Sequence, residues 1–282
     1  MVLPNPESRA QAALYRLSLT EHSPRGVAGE RLGKGTGSSL EFQERRSYVA
    51  GDDVRHLDWK AYARTDQLMV RMYREEILPR IDLVIDNSRS IATEPAKAQL
   101  VTDLALFFCE VGRRSGFDVR PIALGDRPER LELARLEREG LQFDGRRSLP
   151  ESLQEASALL RPGTLRLVLS DFLFPADPAA LTRSLAMRAS GMCMIQVLGQ
   201  MDRQPEAGEA LQLTDAETGE VLDLVLDDHA VRSYLERLKR LTDGLSTECR
   251  RLSGMFIGLS STPELAQHCR TTLCRAGVIA PA

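Results

Sequence analysis

Apolar positions along this chain change their spacing several times, and each change marks an element. Residues 6–20 set Ala10, Ala13, Leu14 and Leu17 on one face of a modest amphipathic helix. Five glycines follow, Gly26, Gly29, Gly33, Gly35 and Gly37, and read as a loop or a series of turns. A phosphate loop is excluded there: Gly35 rather than Ser or Thr follows Gly33-Lys34, and no apolar strand precedes it. Residues 41–80 are dense in charges and aromatics, and 68–78 alternate as a strand with Leu68, Val70 and Met72 on one face. From residue 81 the pattern becomes regular. Ile81-Asp82-Leu83-Val84-Ile85 is a short buried strand. A helix follows at about 94–114, with Thr93 as its cap, Pro95 in its first turn, and a stripe of Leu100, Val101, Leu104, Phe107, Phe108 and Val111.

The alternation continues with strands at 117–124 and 130–134. Ser148-Leu149-Pro150-Glu151 is a capping box opening a helix to about Leu160. Next come a strand at 165–170 ending at Asp171, a helix near 178–189, a strand at 192–198 and a hairpin across 210–226. A long helix at 229–253, a strand at 256–259 and a helix at 263–276 complete the chain. Strands alternating with helices predict an α/β fold with a doubly wound, mostly parallel sheet. The region before residue 81 reads as an N-terminal, β-containing extension.

Composition narrows the class. The 282 residues are 43% hydrophobic and 27% charged, with a net charge of -3. That describes a soluble globular chain with mass for a real core and no electrostatic pull toward nucleic acid or an anionic membrane. No apolar run is long enough for a transmembrane segment, and the N-terminus lacks the plan of a signal peptide. Five cysteines, Cys109, Cys193, Cys249, Cys269 and Cys274, form no CxxC pair. Reduced thiols and a cytoplasmic location are expected. His268, Cys269 and Cys274 match no standard zinc spacing. Only four of the 37 basic residues are lysine: Lys34, Lys60, Lys97 and Lys239.

The candidate chemistry begins where the strand at 81–85 stops. Asp86-Asn87-Ser88-Arg89-Ser90 places one carboxylate and two hydroxyls at alternate positions of the loop. In an open α/β sheet, ligands bind at that end of the strands. One acid with two neutral hydroxyls is a hard oxygen set suited to Mg²⁺ or Mn²⁺. The plainer reading is a strand-ending acid followed by turn-forming serines. Asp171 repeats the placement at the end of another apolar strand, or else simply opens a turn at Pro175. The four histidines, His22, His56, His229 and His268, are scattered, and no nucleophile–base pair stands out.

The 86–90 motif, the helix after it, the Ser170-Asp171 loop and the alternating order over about 81–262 together resemble the von Willebrand factor A fold and its metal-ion-dependent adhesion site. The preceding motifs are Gly35-Thr36-Gly37, Leu40-Glu41-Phe42, Arg45, Tyr48, Gly51-Asp52-Asp53, Arg55, Leu57-Asp58-Trp59 and Ala63-Arg64. They look like the signature of the bacterial domain of unknown function 58 proteins, in which that signature runs straight into an A-type domain. The resemblance implies a family-specific segment at 1–80 and a von Willebrand factor A-like domain at 81–282. Many relatives carry N-terminal transmembrane helices, and this chain looks like the short soluble form. The implied metal set is Asp86, Ser88, Ser90 and Asp171. The threonine usual in such sites is missing from Gly145-Arg146-Arg147-Ser148. Ser148 is the substitute hydroxyl, with capping as its competing role, and Arg146 or Arg147 would bring a fixed positive charge.

The expected function is a non-enzymatic protein-binding module with a degenerate metal site. Its implied partner is a MoxR-type AAA+ ATPase, with other von Willebrand factor A proteins as further partners, in protein maturation or complex assembly. A metal-dependent hydrolase and a metal-free scaffold are the alternatives. Within 41–64, Arg45, Asp58 and Trp59 are expected to knit the extension onto the A-type domain, with Trp59 mostly buried.

Overall fold

Strand pairing organises the chain around one sheet. The computed structural model describes residues 1–19, 40–49, 52–75, 79–206, 208, 210–214, 221–225 and 227–282. The glycines at 26–37 and the hairpin turn at 217–219 lie outside the described residues. Two units are present, Met1–Val27 with Pro79–Ala282, and Ala28–Leu78. The larger begins with helix α1 (Glu7–Ala12) and strand β1 (Tyr15–Leu17). The smaller holds strand β2 (Leu40–Ser47), helix α2 (Trp59–Thr65) and strand β3 (Met69–Glu75), with β2 and β3 antiparallel.

The larger unit continues with β4 (Arg80–Asp86), α3 (Pro95–Arg114), β5 (Asp118–Leu124), β6 (Glu129–Arg130), α4 (Leu133–Glu139) and α5 (Leu149–Glu155). Then follow β7 (Leu165–Ser170), α6 (Pro178–Ala186), β8 (Gly191–Leu198), α7 (Gln200–Arg203), β9 (Ala210–Thr214) and β10 (Val221–Val225). The last elements are α8 (Asp228–Arg251), β11 (Met255–Ser260), α9 (Leu265–His268) and β12 (Ile279–Pro281). The central sheet has the order β11-β8-β7-β4-β5-β6, parallel throughout except for β6. This is a Rossmann-like, doubly wound sheet, consistent with the von Willebrand factor A type.

The apolar run of β4 follows from burial on both faces. Leu83 and Ile85 join one core with Leu104, Phe107 and Phe108 of α3. Val84 joins the other with Val168, Met194, Leu181 and Leu245. The six stripe residues of α3 are all buried, as their spacing predicts. Among the described residues no helix is long and apolar enough to cross a membrane.

Four local expectations are corrected. The first helix ends at Ala12, and residues 15–17 form β1, which pairs antiparallel with β12 at the far end of the chain. That long-range pairing overrides the helical period. Thr93 does not cap α3; its hydroxyl bonds the Ser90 carbonyl and closes a 3₁₀ turn, Arg89–Thr93, leaving Glu94 at the cap position. The strand expected at 130–134 gives way to α4, because Leu136 is drawn into the core at helical spacing from Leu133. Trp59 is 62% exposed and meets Tyr62 edge-on. The buried position of the short helix α2 is Ala61, and residues two apart on a helix point away from each other. Asp58, buried, takes the inner place and caps α2 through the N–H groups of Lys60 and Ala61.

Candidate functional site

β4 and β7 are parallel neighbours in register, with Ile85 beside Leu169. The residues that follow, Asp86 and Ser170, therefore meet across the carboxyl edge of the sheet. Asp86 is fully buried. Its Oδ2 accepts from Ser170 Oγ at 2.5 Å, and its Oδ1 accepts from the Ser88 N–H at 3.0 Å. The Ser88 and Ser90 hydroxyls lie 2.9 Å apart. Gly145 clamps this loop: its N–H donates to the Asn87 carbonyl, and its carbonyl accepts from the Arg89 N–H. A methyl group on Gly145 would sit 2.9 Å from the Asn87 carbonyl oxygen and 3.0 Å from Gly125 Cα, so no larger residue fits unshifted.

Asp171 is fully buried on the adjacent turn. Its Oδ1 accepts from the Leu173 N–H at 3.1 Å, and Gln196 Nε2 donates to its carbonyl at 3.0 Å. Phe172, next in the chain, is held at φ 55°, a sparsely populated conformation for a bulky residue. Asp171 Oδ2 accepts from Lys97 Nζ at 3.0 Å, and the same ammonium donates to Asp202 Oδ2 at 3.0 Å. Lys97 is only 1% exposed. Asp202 also accepts from the Gly199 N–H at 2.8 Å, and Tyr234 donates its hydroxyl to the Asp202 carbonyl.

Electrostatics divide the cluster into a satisfied part and an unsatisfied part. Burial works to lower Lys97, but Asp171 and Asp202 outweigh it and raise the group, which stays charged. Burial, then the charge of Asp171, pushes Asp86 up to about 6 against the hydrogen bonds from Ser170 and Ser88. Among the described residues Asp86 has no cationic partner. Two carboxylates thus share one ammonium, and the third, Asp86, has none.

The unsatisfied part is a set of hard oxygen donors, one acid and two hydroxyls that also bond each other. Mg²⁺–oxygen bonds of about 2.0–2.1 Å place adjacent octahedral ligands roughly 3 Å apart. The two serine oxygens, 2.9 Å apart, have that spacing beside an acid lacking a counter-charge. Asp171 is less available, since Lys97 holds one of its oxygens. No group of three or more His, Cys, Asp or Glu among the described residues is placed for a metal, so this set depends on its serines.

The other expected residues bond other groups. Ser148 gives both its N–H and its hydroxyl to Glu151 at 2.9 and 3.0 Å, completing the capping role. The backbone N–H groups of Arg146 and Arg147 donate to Asp126, and the Arg147 guanidinium pairs with Glu155 at 2.6 Å. The fixed charge bonded to Asp171 is Lys97, not either arginine. One signal for it exists in the sequence. Residue 97 lies in phase with Val101, Leu104 and Phe108 on the apolar stripe of α3, and a lysine there needs a buried partner.

Comparison with known proteins agrees with this picture at the level of family. The profile of the DUF58 family, proteins of unknown function, matches residues 44–243. Uncharacterized proteins of Mycobacterium tuberculosis and Mycobacterium bovis are 30% identical to this chain, over 78% of it and 75% of their own length. Among solved structures, an aerotolerance-related membrane protein from Bacteroides fragilis aligns with a TM-score of 0.44 at 12% identity, over 71% of this chain and 98% of its own. BatB from Bacteroides thetaiotaomicron aligns with a TM-score of 0.40 at 12% identity, over 70% and 98%. The matched stretch of the family takes in Asp86, Lys97, Asp171 and Asp202, so this chain, candidate site included, belongs to the DUF58 family.

Proposed function

We propose that this chain is a non-enzymatic protein-binding module of von Willebrand factor A type. In this reading a Mg²⁺ or Mn²⁺ ion is held weakly by Asp86, Ser88 and Ser90, with Asp171 as an outer acid. Bound by one carboxylate and two neutral hydroxyls, the ion keeps enough positive charge to take a carboxylate from a partner. The partner is a MoxR-type AAA+ ATPase, and the pair act in protein maturation or complex assembly. The observation that carries the reading is a fully buried Asp86 without counter-charge beside two hydroxyls at ligand spacing. Neither serine bonds a histidine; they bond each other, which suits ligands better than nucleophiles. Five unpaired cysteines suit a reducing compartment, and the reading places the module in the cytoplasm.

Lys97 favours a second reading, in which its ammonium holds the crevice together and docking needs no metal. Calorimetric titration of Mn²⁺ into native protein and Asp86→Ala separates the two. Heat from the native protein alone is the expected result, and equal heats, or none, remove the ion. A pull-down of the cognate ATPase with and without EDTA then reads the function. Binding that survives EDTA but is lost in Lys97→Met selects the metal-free form, and binding unaffected by either variant sinks both.

A further inference from the structure

A cavity of about 450 Å³ opens between α5 and α6, on the face of the sheet that carries Val84 and Val168. That volume lies within the range of small-molecule sites, about 300–1,000 Å³. Leu153, Leu160, Ala176, Ala180 and Leu181 supply most of its apolar wall, and Met187 stands at the rim.

Its lining also includes Arg166, on β7, which is 3% exposed. A buried guanidinium carries five N–H donors and a full charge, and needs partners for both. Among the described residues Arg166 makes a single hydrogen bond, from Nη1 to the Leu185 carbonyl near the end of α6. Its Nε is buried with no partner. Asp82, its neighbour in register on β4, is already engaged by Arg161 at 2.7 and 2.8 Å and by Thr164 at 3.1 Å. Arg188, on the rim, adds a like charge. Burial pushes Arg166 below the usual arginine range, Asp82 opposes this in part, and Arg188 compounds it.

The cavity is polarised along α6. Asp177 caps the amino end of that helix, accepting from the Ala179 and Ala180 N–H groups. Arg166 and Arg188 mark the opposite end, about 13 Å away at 1.5 Å per residue over a nine-residue helix. An anionic head is repelled at one end and attracted by two guanidinium groups at the other. We infer that this cavity binds a small apolar carboxylate, a medium-chain fatty acid in chemical class, with its head on Arg166 and its tail against Leu153, Ala180 and Leu181.

The test uses the full chain with octanoate, and octanol and octylamine as probes of equal tail. Binding is followed by calorimetry and by shifts of the Leu153 and Leu181 methyl signals. Octanoate is expected to bind saturably and at least tenfold more tightly than octanol, with octylamine weakest. Arg166→Met, which keeps the apolar stem, abolishes the preference for acid over alcohol. Ala180→Phe, which fills the tail end and leaves the guanidinium alone, abolishes binding of both. A purely structural Arg166, serving only to hold α6, produces no such preference. Absence of saturable octanoate binding, or equal binding of octanoate and octanol by the native protein, overturns the inference even if neither variant folds.

Discussion

Lys97 and Asp86 carry opposite consequences of the same burial. Removing one partner of a buried ion pair strands the other charge, at a cost of about 3–5 kcal/mol. Lys97→Met is therefore expected to lower unfolding free energy by that order, measured in urea, and adding Asp171→Asn should recover much of it. Asp86 behaves the other way. Its folded value of about 6 lies above the ordinary 3.8, so the folded state holds the proton more tightly. The destabilisation is fully present above pH 6 and is relieved as pH falls from about 6 to 4. His268, pushed below 6.5 by burial, pulls stability the opposite way in the same acid range, so the native profile mixes both. The comparison with Asp86→Asn isolates the acid. In chelated buffer at pH 7.5 the variant should be more stable by on the order of 3 kcal/mol, and the gain should vanish near pH 4. A gain that does not change with pH contradicts the assignment. The loop of Asp86, Ser88 and Ser90 was readable in the sequence because its chemistry is local. For Lys97 only the need for a buried partner was readable, from its place on the apolar stripe; the partners themselves were not, because they stand 74 and 105 residues away.

At the scale of elements, the apolar stripe of α3 and the strands of the central sheet followed their periods closely, since burial on two faces leaves little freedom of register. The short pieces did not, because tertiary partners decide them. Trp59 is the clear example. Its size suggested an interior place, yet a seven-residue helix has one narrow buried face, and Ala61 occupies it. As the only tryptophan, it should emit with a solvent-like maximum in the folded protein, and Trp59→Ala should change stability by less than about 0.5 kcal/mol. A blue-shifted native spectrum contradicts this. Gly145 makes the reverse case: a residue with no side chain fixes a functional loop by its backbone. Gly145→Ala is expected to push the two loops apart, to cost about 1–3 kcal/mol, and to weaken Mn²⁺ binding in parallel.

The whole molecule divides differently from its motifs. The family signature suggests a boundary at residue 80, but Met1–Val27 groups with Pro79–Ala282 rather than with the segment between. The reason is physical. β1 pairs with β12, joining the two ends of the chain, and Val2 bridges Leu141. Ala12, Leu17 and Leu19 are buried in the core that contains α3. Asp103, on α3, accepts from the Asn5 N–H at 2.6 Å, from Ser8 Oγ at 3.1 Å and from Gln99 at 3.1 Å. No periodicity announces the docking of the first residues, because every contact here except the Gln99–Asp103 bond joins segments far apart in sequence. A chain shortened to residues 79–282 keeps every strand of the central sheet and loses all of these contacts except Gln99. The two buried leucines alone contribute about 3–6 kcal/mol, and Asp103 loses two of its three donors. Such a fragment should retain its far-ultraviolet dichroism, bind a hydrophobic dye, and unfold at markedly lower urea than the full chain. Adding residues 1–19 as a separate peptide should restore part of the loss. A fragment as stable as the full chain would mean that the first residues lie on the α/β unit without supporting it.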